Sequence, residues 1–297
     1  MLPPNTLWPL TLAATRHGLA CGALQPIATD SEIIQDQGMN FVVRIAANVA
    51  RKQQAAAART ATLGKDFNPF LPYDKDLFVA NLSPTHVCIL NKFNVVDHHL
   101  LMVTRTFEDQ ETGLTAQDFE AMWLTLREVD GLVFYNGGPI AGASQKHKHL
   151  QCIPWPLAEQ PAAPVDVGPA LPFVHGWLPL DPTWANHPTE AGVKTLELYG
   201  QLLRSLALKP ENTPENTPEN TPEKNLENTP LKPAAYNLLA TRHWLLLVPR
   251  LAERSQGISI NALGFAGSLF VKDREQLETL KAVGPMAILK AVAVPLP

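Results

Sequence analysis

The chain has 297 residues, of which 45% are hydrophobic and 18% are charged. This length allows one large domain or two small ones, and the apolar content excludes a disordered chain. Lys and Arg together number 24 against 28 Asp and Glu, so the net charge is −4. That balance excludes an ordinary basic nucleic-acid-binding domain, whereas a phosphorylated ligand needs only local positive charge.

The sequence also indicates a compartment. No apolar run reaches the roughly 20 residues of a membrane helix. The N-terminal stretch has no cationic leader and carries Arg16 and His17 among its apolar residues, so no signal peptide is predicted. Cys21, Cys88 and Cys152 are scattered and odd in number, which is typical of a reducing environment. We therefore predict a cytoplasmic protein with neither a membrane nor a nucleic acid as partner.

A low-complexity tract divides the chain. Residues 210–230 read PENTPENTPENTPEKNLENTP. Repeated Pro blocks helices and central strands, and the tract has no apolar period, so we predict a flexible, partly extended linker or surface insertion. It separates residues 1–209 from residues 231–297. The second unit is short for an independent domain, and we expect it to pack onto the first.

Strand and helix signals alternate in the first unit. Thr115 can cap a helix, because Asp118 follows at capping-box spacing and apolar residues then recur at helical intervals. β-rich runs separated by short breaks are typical of antiparallel strands. The predicted strands are residues 39–45, 77–82, 86–93, 98–105, 131–136 and 146–154, and a second helix runs from Thr189 to the residue before Pro210.

The second unit continues in the same manner. Strands are predicted at 235–241, at 243–250 and in the run 260–272, and Asp273 with Gln276 opens a last helix. Strand runs with inserted helices predict an α+β fold with an antiparallel or mixed sheet.

The chemically informative segment is 136–151, NGGPIAGASQKHKHLQ. Side chains alternate faces along a strand, so His147, His149 and Gln151 share one face. The opposite face carries Lys148, Leu150 and Cys152, and the last two are apolar enough to pack in the interior. Two imidazoles and an amide therefore form a row on the functional face.

Small residues precede this row: Gly137, Gly138, Gly142, Ala143 and Ser144. Small side chains let backbone N–H groups approach an anion, and successive N–H groups can form an anion-binding nest. A phosphate held there would lie beside the imidazoles, where a histidine could act as nucleophile or as acid and base.

Three other interpretations of this segment compete. The HKH sequence could be half of a zinc site, although zinc requires further ligands and the remaining histidines are dispersed. The loop could be a plain hairpin connection with surface histidines. A dinucleotide fingerprint is disfavoured, because the loop lacks GxGxxG and no helix follows it.

The segment resembles a known family. FYNGGPIAGASQKHKHLQ (134–151) is similar to the pattern FYNSGP-x-SGAS-x-x-HKHLQ of diadenosine tetraphosphate phosphorylases, also called ATP adenylyltransferases, which belong to the histidine-triad superfamily. Residues 89–105, 236–250 and 257–272 resemble three further family blocks. The loop has up to two serines fewer than the family pattern, and the Pro-rich tract has no counterpart in it.

This resemblance implies a fold and a domain plan. We expect a histidine-triad-like antiparallel sheet with flanking helices in residues 1–209. After the linker at 210–230, residues 231–297 would form an ATP-adenylyltransferase segment that packs on the same site.

The resemblance also implies residue roles. His149 would be the nucleophile that accepts an adenylyl group, and His147 would support it by hydrogen bonding. Gln151 stands where the hydrolase branch has a third histidine; an amide can hold a phosphoryl oxygen but cannot shuttle protons. The implied substrate-binding residues are Lys52, Asn91, Lys92, Asn136, Gly142, Ala143, Ser144, Gln145, Gln151, Asn261, Ala262, Leu263, Ser268 and Lys272.

The expected activity is reversible phosphorolysis of diadenosine tetraphosphate to ATP and ADP, with Mg²⁺ or Mn²⁺ accompanying the nucleotide and no prosthetic group. The expected partners are dinucleoside polyphosphates, ATP, ADP and phosphate, and a monomer is favoured. The alternatives are a dinucleoside polyphosphate hydrolase, a hexose-1-phosphate uridylyltransferase and a non-enzymatic nucleotide sensor.

Overall fold

The computed structural model describes residues 2–45, 67–155, 170–208 and 234–297. Two features of the sequence analysis, Lys52 and the Pro-rich tract at 210–230, lie outside these ranges. The division of the chain at that tract stays a prediction.

The centre of the fold is an antiparallel sheet of eight described strands. Its strands are β3 (Phe78–Asn81), β4 (His86–Leu90), β5 (Leu100–Thr104), β6 (Gly131–Gly137), β7 (His149–Pro154), β8 (Gly176–Pro179), β9 (Tyr236–Ala240) and β10 (Trp244–Pro249). They lie in the order β3-β4-β5-β7-β6-β9-β10-β8. Because β9 and β10 follow the Pro-rich tract in sequence, both predicted units contribute to one sheet.

Two smaller sheets accompany it. In the first, β1 (Asp30–Asp36) pairs antiparallel with β2 (Met39–Ile45), and β13 (Ser268–Val271) pairs parallel with β2. The second is the short pair β11 (Arg254–Ser255) and β12 (Ile258–Ser259). The first again joins an N-terminal strand to a C-terminal one.

The helices of the described ranges begin at recognisable caps. At α2, Thr115 and Asp118 form a reciprocal capping box, and at α5 the Asp273 side chain accepts a hydrogen bond from the Gln276 N–H. The helices are α1 (Leu7–Cys21), α2 (Ala116–Leu126), α3 (Pro188–Ser205), α4 (Ala262–Phe265), α5 (Arg274–Val283) and α6 (Pro285–Val292).

Both faces of the large sheet are buried, which explains its nearly continuous apolar strands. On one face Leu150 and Cys152 pack with Phe119 and Trp123 of α2. On the other face Phe134 lies in a cluster with C-terminal side chains such as Phe265 and Leu289. The predicted α+β class and the packing of the C-terminal segment onto the rest are therefore confirmed.

The structure corrects the sequence prediction at several points. The predicted strand at 260–272 is wrong in its first part, because Asn261 caps the short helix α4 by accepting a hydrogen bond from the Leu263 N–H. The strand predicted at 146–154 begins at His149, and His147 forms only an isolated bridge with Asp109. Elements α1, β1, β8, β11, β12 and α6 were not predicted from the sequence. In the described ranges, no helix combines the length and apolarity that a membrane crossing requires.

Candidate active site

His149 lies at the first position of β7, between the sheet core and a loop aromatic. Its ring is only 5% exposed and lies 5.1 Å from the Phe70 ring. Its Nδ1 lies 2.8 Å from the His147 carbonyl oxygen, which can only accept, so Nδ1 carries the proton. The lone pair is therefore on Nε2, which has no partner in the described ranges.

Burial keeps this imidazole neutral. Desolvation, the largest effect, lowers the pKa of His149 from 6.5 to about 4, although the His147 carbonyl raises it in part. At neutral pH the ring is thus uncharged and keeps the lone pair that a nucleophile requires. The sequence predicted this side chain on the functional face of the strand, and the structure shows that it is also largely buried there.

This lowered pKa has a consequence for stability. Between pH 6.5 and about 4 the unfolded chain binds a proton at His149 that the folded chain does not bind. The free energy of unfolding should therefore fall as the pH falls through this interval, by up to about 3 kcal/mol. Urea unfolding of wild type and His149→Asn at several pH values measures the effect. Equal pH dependence in both proteins would contradict the assigned pKa.

The neighbouring His147 ring is held in one tautomer. Its Nε2 donates to the Thr104 carbonyl oxygen at 2.8 Å. Its Nδ1 faces the Asn68 amide nitrogen at 3.0 Å. The orientation of that amide is set, because its oxygen accepts from the Phe70 N–H at 2.9 Å. A proton on Nδ1 would meet the Asn68 donor, and desolvation, the largest effect, lowers the pKa of His147 as well.

Gln151 belongs to a second chain of bonds. Its Oε1 lies 3.0 Å from His99 Nε2, and His99 Nδ1 lies 3.2 Å from the Asn91 amide nitrogen. The Asn91 oxygen accepts from the Phe93 N–H at 3.2 Å. Asn91, a predicted substrate ligand, is thus directed toward a histidine.

Gln110 ties the row to the preceding strand. It accepts from the His149 N–H at 2.9 Å and donates to the Asn136 carbonyl oxygen at 3.0 Å. The opposite face is fixed by Lys148, which is 1% exposed and lies 2.8 Å from Glu108 and 3.5 Å from Asp118. The alternation predicted from the sequence is therefore present.

Buried charges hold that opposite face. Asp118 accepts from His86 at 3.0 Å, and both are buried. Burial alone would raise the pKa of Asp118, but the His86 hydrogen bond and the Lys148 charge outweigh it and lower the pKa. Lys148 therefore has partners of its own and does not belong to the histidine row.

Several N–H groups of the glycine loop, which were predicted to bind an anion, instead form hydrogen bonds within the loop. The N–H groups of Ala141 and Ala143 donate to the Gly138 carbonyl oxygen at 3.1 Å, and that of Gly142 donates to Pro139 at 2.9 Å. Within the described ranges, the next N–H groups, those of Ser144 and Gln145, meet no protein acceptor. Of the four predicted phosphate-binding residues of this loop, Ser144 and Gln145 therefore keep their N–H groups available for an anion, whereas the N–H groups of Gly142 and Ala143 are used within the loop.

Gly142 is required by its neighbours. Its φ is +90°, and a Cβ there would lie 2.9 Å from Asn261 Cα and from the Ile260 carbonyl oxygen. We expect Gly142→Ala to cost about 2–4 kcal/mol of unfolding free energy, from backbone strain plus the clash. Gly22, with φ +76° and no atom within 4 Å of its Cβ position, is the matched control. In urea unfolding, equal losses for Gly142→Ala and Gly22→Ala would contradict this packing.

Asn136 joins the loop to the C-terminal segment. Its Oδ1 accepts from Asn237 Nδ2 at 2.8 Å and from the Ala262 N–H at 2.9 Å. It is 3% exposed. The two units are therefore joined in this structure by Asn136, Ala262 and the buried Leu263. The C-terminal segment also contacts the glycine loop, because Asn261 lies against Gly142.

Arg250 reinforces this junction. It is 5% exposed, and its guanidinium donates to Asn237 Oδ1 at 2.5 Å and to the carbonyl oxygens of Ala252 at 2.7 Å and Ile260 at 3.0 Å. Desolvation lowers the pKa of Arg250 to about 10, which leaves it charged at neutral pH. Sequence reasoning missed this residue.

The other predicted ligands are more dispersed. Lys92 lies 3.3 Å from Asp74, and the buried Ser268 accepts from Arg44 at 2.6 Å. Lys272 is 60% exposed beside Asp273. The described residues show no contact between these three and the histidine row, so their roles remain predictions.

An antiparallel sheet that presents a neutral histidine beside a glycine loop suits transfer of a nucleotidyl group to that histidine. This arrangement, with glutamine as its last member, is the one that the resemblance to histidine-triad nucleotidyltransferases implies.

Comparison with known proteins identifies the family of this chain. Residues 1–171 match the Ap4A phosphorylase N-terminal domain, and residues 169–295 match the ATP adenylyltransferase C-terminal domain. Diadenosine 5',5'''-P1,P4-tetraphosphate phosphorylase 2 of Saccharomyces cerevisiae is 31% identical over 247 residues, 72% of this chain and 71% of the relative. The chain belongs to the Ap4A phosphorylase family.

Solved structures share the fold. The crystal structure of yeast Ap4A phosphorylase Apa2 has a TM-score of 0.77 at 25% identity and covers 99% of both chains. Its complex with AMP has a TM-score of 0.76 at 26% identity, covering 99% of this chain and 98% of that one. The expected histidine-triad-like architecture is thus confirmed.

Proposed function

We propose that this protein phosphorolyses diadenosine tetraphosphate, producing ATP and ADP, and that the reaction is reversible. The observation that carries the proposal is the state of His149, whose Nδ1–H is bonded to the His147 carbonyl oxygen while Nε2 keeps its lone pair. The similarity to the yeast diadenosine tetraphosphate phosphorylase and the family of the chain support diadenosine tetraphosphate as the substrate.

The reaction has two steps. Nε2 of His149 attacks the α-phosphorus, so that a P–N bond forms and the bond to the leaving ATP oxygen breaks. An oxygen of inorganic phosphate then attacks the same phosphorus. The P–N bond breaks, its electron pair returns to Nε2, and ADP leaves. The N–H groups of Ser144 and Gln145, which meet no acceptor among the described residues, would bind phosphoryl oxygens.

His147 acts through position. Its carbonyl oxygen accepts from His149 Nδ1 at 2.8 Å and stabilises the positive charge that develops on the ring as the P–N bond forms. Its own ring is held by Thr104 and Asn68. This makes His147 a positioning residue for the nucleophile.

Gln151 distinguishes the acceptors. Phosphate is already anionic when it attacks, whereas water must lose a proton, and an amide does not accept protons at neutral pH. We expect ADP and ATP as products when phosphate is present. We expect Gln151→His to raise the share of AMP, because imidazole can take the proton from water.

Chromatography of the products with and without phosphate tests this proposal. Formation of AMP plus ATP at equal rates in both conditions would instead identify the hydrolase alternative. Transfer to a hexose-1-phosphate would indicate the uridylyltransferase, and nucleotide binding without turnover would indicate the sensor.

The divalent ion belongs to the substrate in this proposal. Mg²⁺ and Mn²⁺ prefer oxygen ligands, whereas the row around His149 offers imidazoles and an amide. Among the described residues, the one group of three metal-type ligands is His17, Cys21 and Asp76, and it includes no member of this row. The ion would arrive on the polyphosphate and neutralise its charge.

The remaining ligand predictions complete the proposal. Asn261 contacts the glycine loop at Gly142, which supports a role in the same site. Lys52, Lys92, Ser268 and Lys272 are proposed to bind the more distant parts of the dinucleotide. A monomer in the cytoplasm remains the prediction from the sequence.

A further inference from the structure

The orientation of the Gln151 amide follows from a chain of three hydrogen bonds. The Phe93 N–H donates to Asn91 Oδ1 at 3.2 Å, which turns the Asn91 amide nitrogen toward His99 Nδ1, 3.2 Å away. A nitrogen that faces a donor must accept, so His99 carries its proton on Nε2.

That proton fixes the next member. His99 Nε2 lies 3.0 Å from Gln151 Oε1 and donates to it. The Gln151 oxygen is thereby covered, and its amide nitrogen, which carries two N–H donors, points elsewhere. His99 is 8% exposed and packs 5.7 Å from the Phe134 ring, so its own orientation is held by the core.

We propose that Asn91 and His99 are positioning residues that set the acceptor of the reaction by presenting only the N–H side of Gln151 to the transferred phosphoryl group. This inference rests on the proposed phosphorolysis and names what makes phosphate preferable to water. It gives Asn91 a role through His99 in addition to the ligand role that the family resemblance implies.

The chemistry of the second step explains the choice. With phosphate, an anionic oxygen forms the new P–O bond while the P–N bond to His149 breaks, and no proton has to leave first. N–H donors attract that anion. With water, the oxygen forms the P–O bond, the P–N bond breaks with its electron pair returning to His149 Nε2, and one proton passes to solvent. A carbonyl oxygen would orient water by accepting its hydrogen and would repel phosphate.

Variants of His99 separate positioning from packing. His99→Leu fills similar space but has no donor, so Gln151 is free to turn its oxygen toward the phosphorus. His99→Gln places an amide N–H near the position of the lost Nε2–H. If His99 served packing alone, His99→Leu would resemble wild type more closely than His99→Gln does. The proposal requires that His99→Gln resemble wild type more closely.

The readout is the ratio of AMP to ADP formed from diadenosine tetraphosphate at fixed phosphate. We expect His99→Leu to raise this ratio at least about tenfold and Asn91→Ala to raise it less. His99→Gln should stay within about threefold of wild type. His98→Leu is the matched control, because His98 contacts Thr15 and Trp8 of helix α1 and should leave the ratio unchanged.

The ratio is set after the adenylyl group has formed, so it does not depend on how well a variant binds the dinucleotide. A wild-type ratio in His99→Leu, or an equal rise in His99→Gln, would overturn the inference. If His99→Leu does not fold, His99→Gln and Asn91→Ala decide the question. The ratio of AMP to ADP must then be near the wild-type value in His99→Gln and raised in Asn91→Ala. Absence of ADP from wild type would overturn the proposed function instead.

Discussion

Replacing His149 with asparagine should reduce turnover by about 10⁴-fold or more, because removing the nucleophile removes the two-step route. The fold should remain, since the asparagine amide can still donate near the position of Nδ1, where the His147 carbonyl oxygen accepts at 2.8 Å. Steady-state release of ATP from diadenosine tetraphosphate measures the first effect, and urea unfolding at pH 7 measures the second.

His149→Ala provides the comparison. It also lacks the nucleophile but leaves the His147 carbonyl oxygen without its donor, so it should lose about 1–3 kcal/mol of unfolding free energy as well. The two variants should thus be equally inactive and unequally stable. Residual turnover within about tenfold of wild type in either protein would exclude His149 as the nucleophile.

Replacing Arg250 with methionine should destabilise the protein by about 3–5 kcal/mol, because it leaves a set of buried acceptors without donors. These acceptors include Asn237 Oδ1 and the carbonyl oxygens of Ala252 and Ile260. Turnover should fall too, since Asn237 also donates to the Ala141 carbonyl oxygen of the glycine loop at 2.8 Å.

Arg254→Met is the matched control for that change. The Arg254 side chain is 65% exposed, and its ion pair among the described residues is with its neighbour Glu253, so its loss should be nearly neutral. Urea unfolding of both variants gives the comparison. If Arg250→Met and Arg254→Met have equal free energies of unfolding, the assigned role of Arg250 in joining the loop to the C-terminal segment is wrong.

The parts of this fold that local sequence determines were predicted well. The capping box of Thr115 and Asp118 and the cap at Asp273 depend on residues three apart, and both are present. The alternation along the HKHLQ stretch placed His149 and Lys148 on opposite faces, as the structure has them, because strand periodicity holds even across an irregular strand start.

The parts that depend on distant contacts were not predictable from local pattern. Asn68 is 79 residues from His147, and Gln110 is 39 residues from His149, yet each bonds to the histidine row. Arg250 looked like the end of an apolar strand. Its partners are the Asn237 side chain and backbone carbonyl oxygens distant in sequence or in irregular segments, such as that of Ile260, and the local sequence pattern does not reveal them.

The structure also refines the meaning of residues that were predicted. Asn136 and Ala262 were expected to bind substrate, and here they bond to each other at 2.9 Å across the junction of the two units. The run at 260–272 was apolar enough to suggest a strand, but Asn261 accepts from the Leu263 N–H and starts a helix instead. In both cases an asparagine side chain accepts a hydrogen bond from a backbone N–H group of the C-terminal segment.

Mass spectrometry of the protein after mixing with diadenosine tetraphosphate, in the absence of phosphate, shows whether His149 carries the transferred group. We expect one added adenylyl group, mapped by peptide analysis to His149, which disappears as ADP when phosphate is added. His149→Asn should gain no mass under the same conditions. An adenylyl group on another residue, or unmodified protein while ATP is released, would contradict the covalent route through His149.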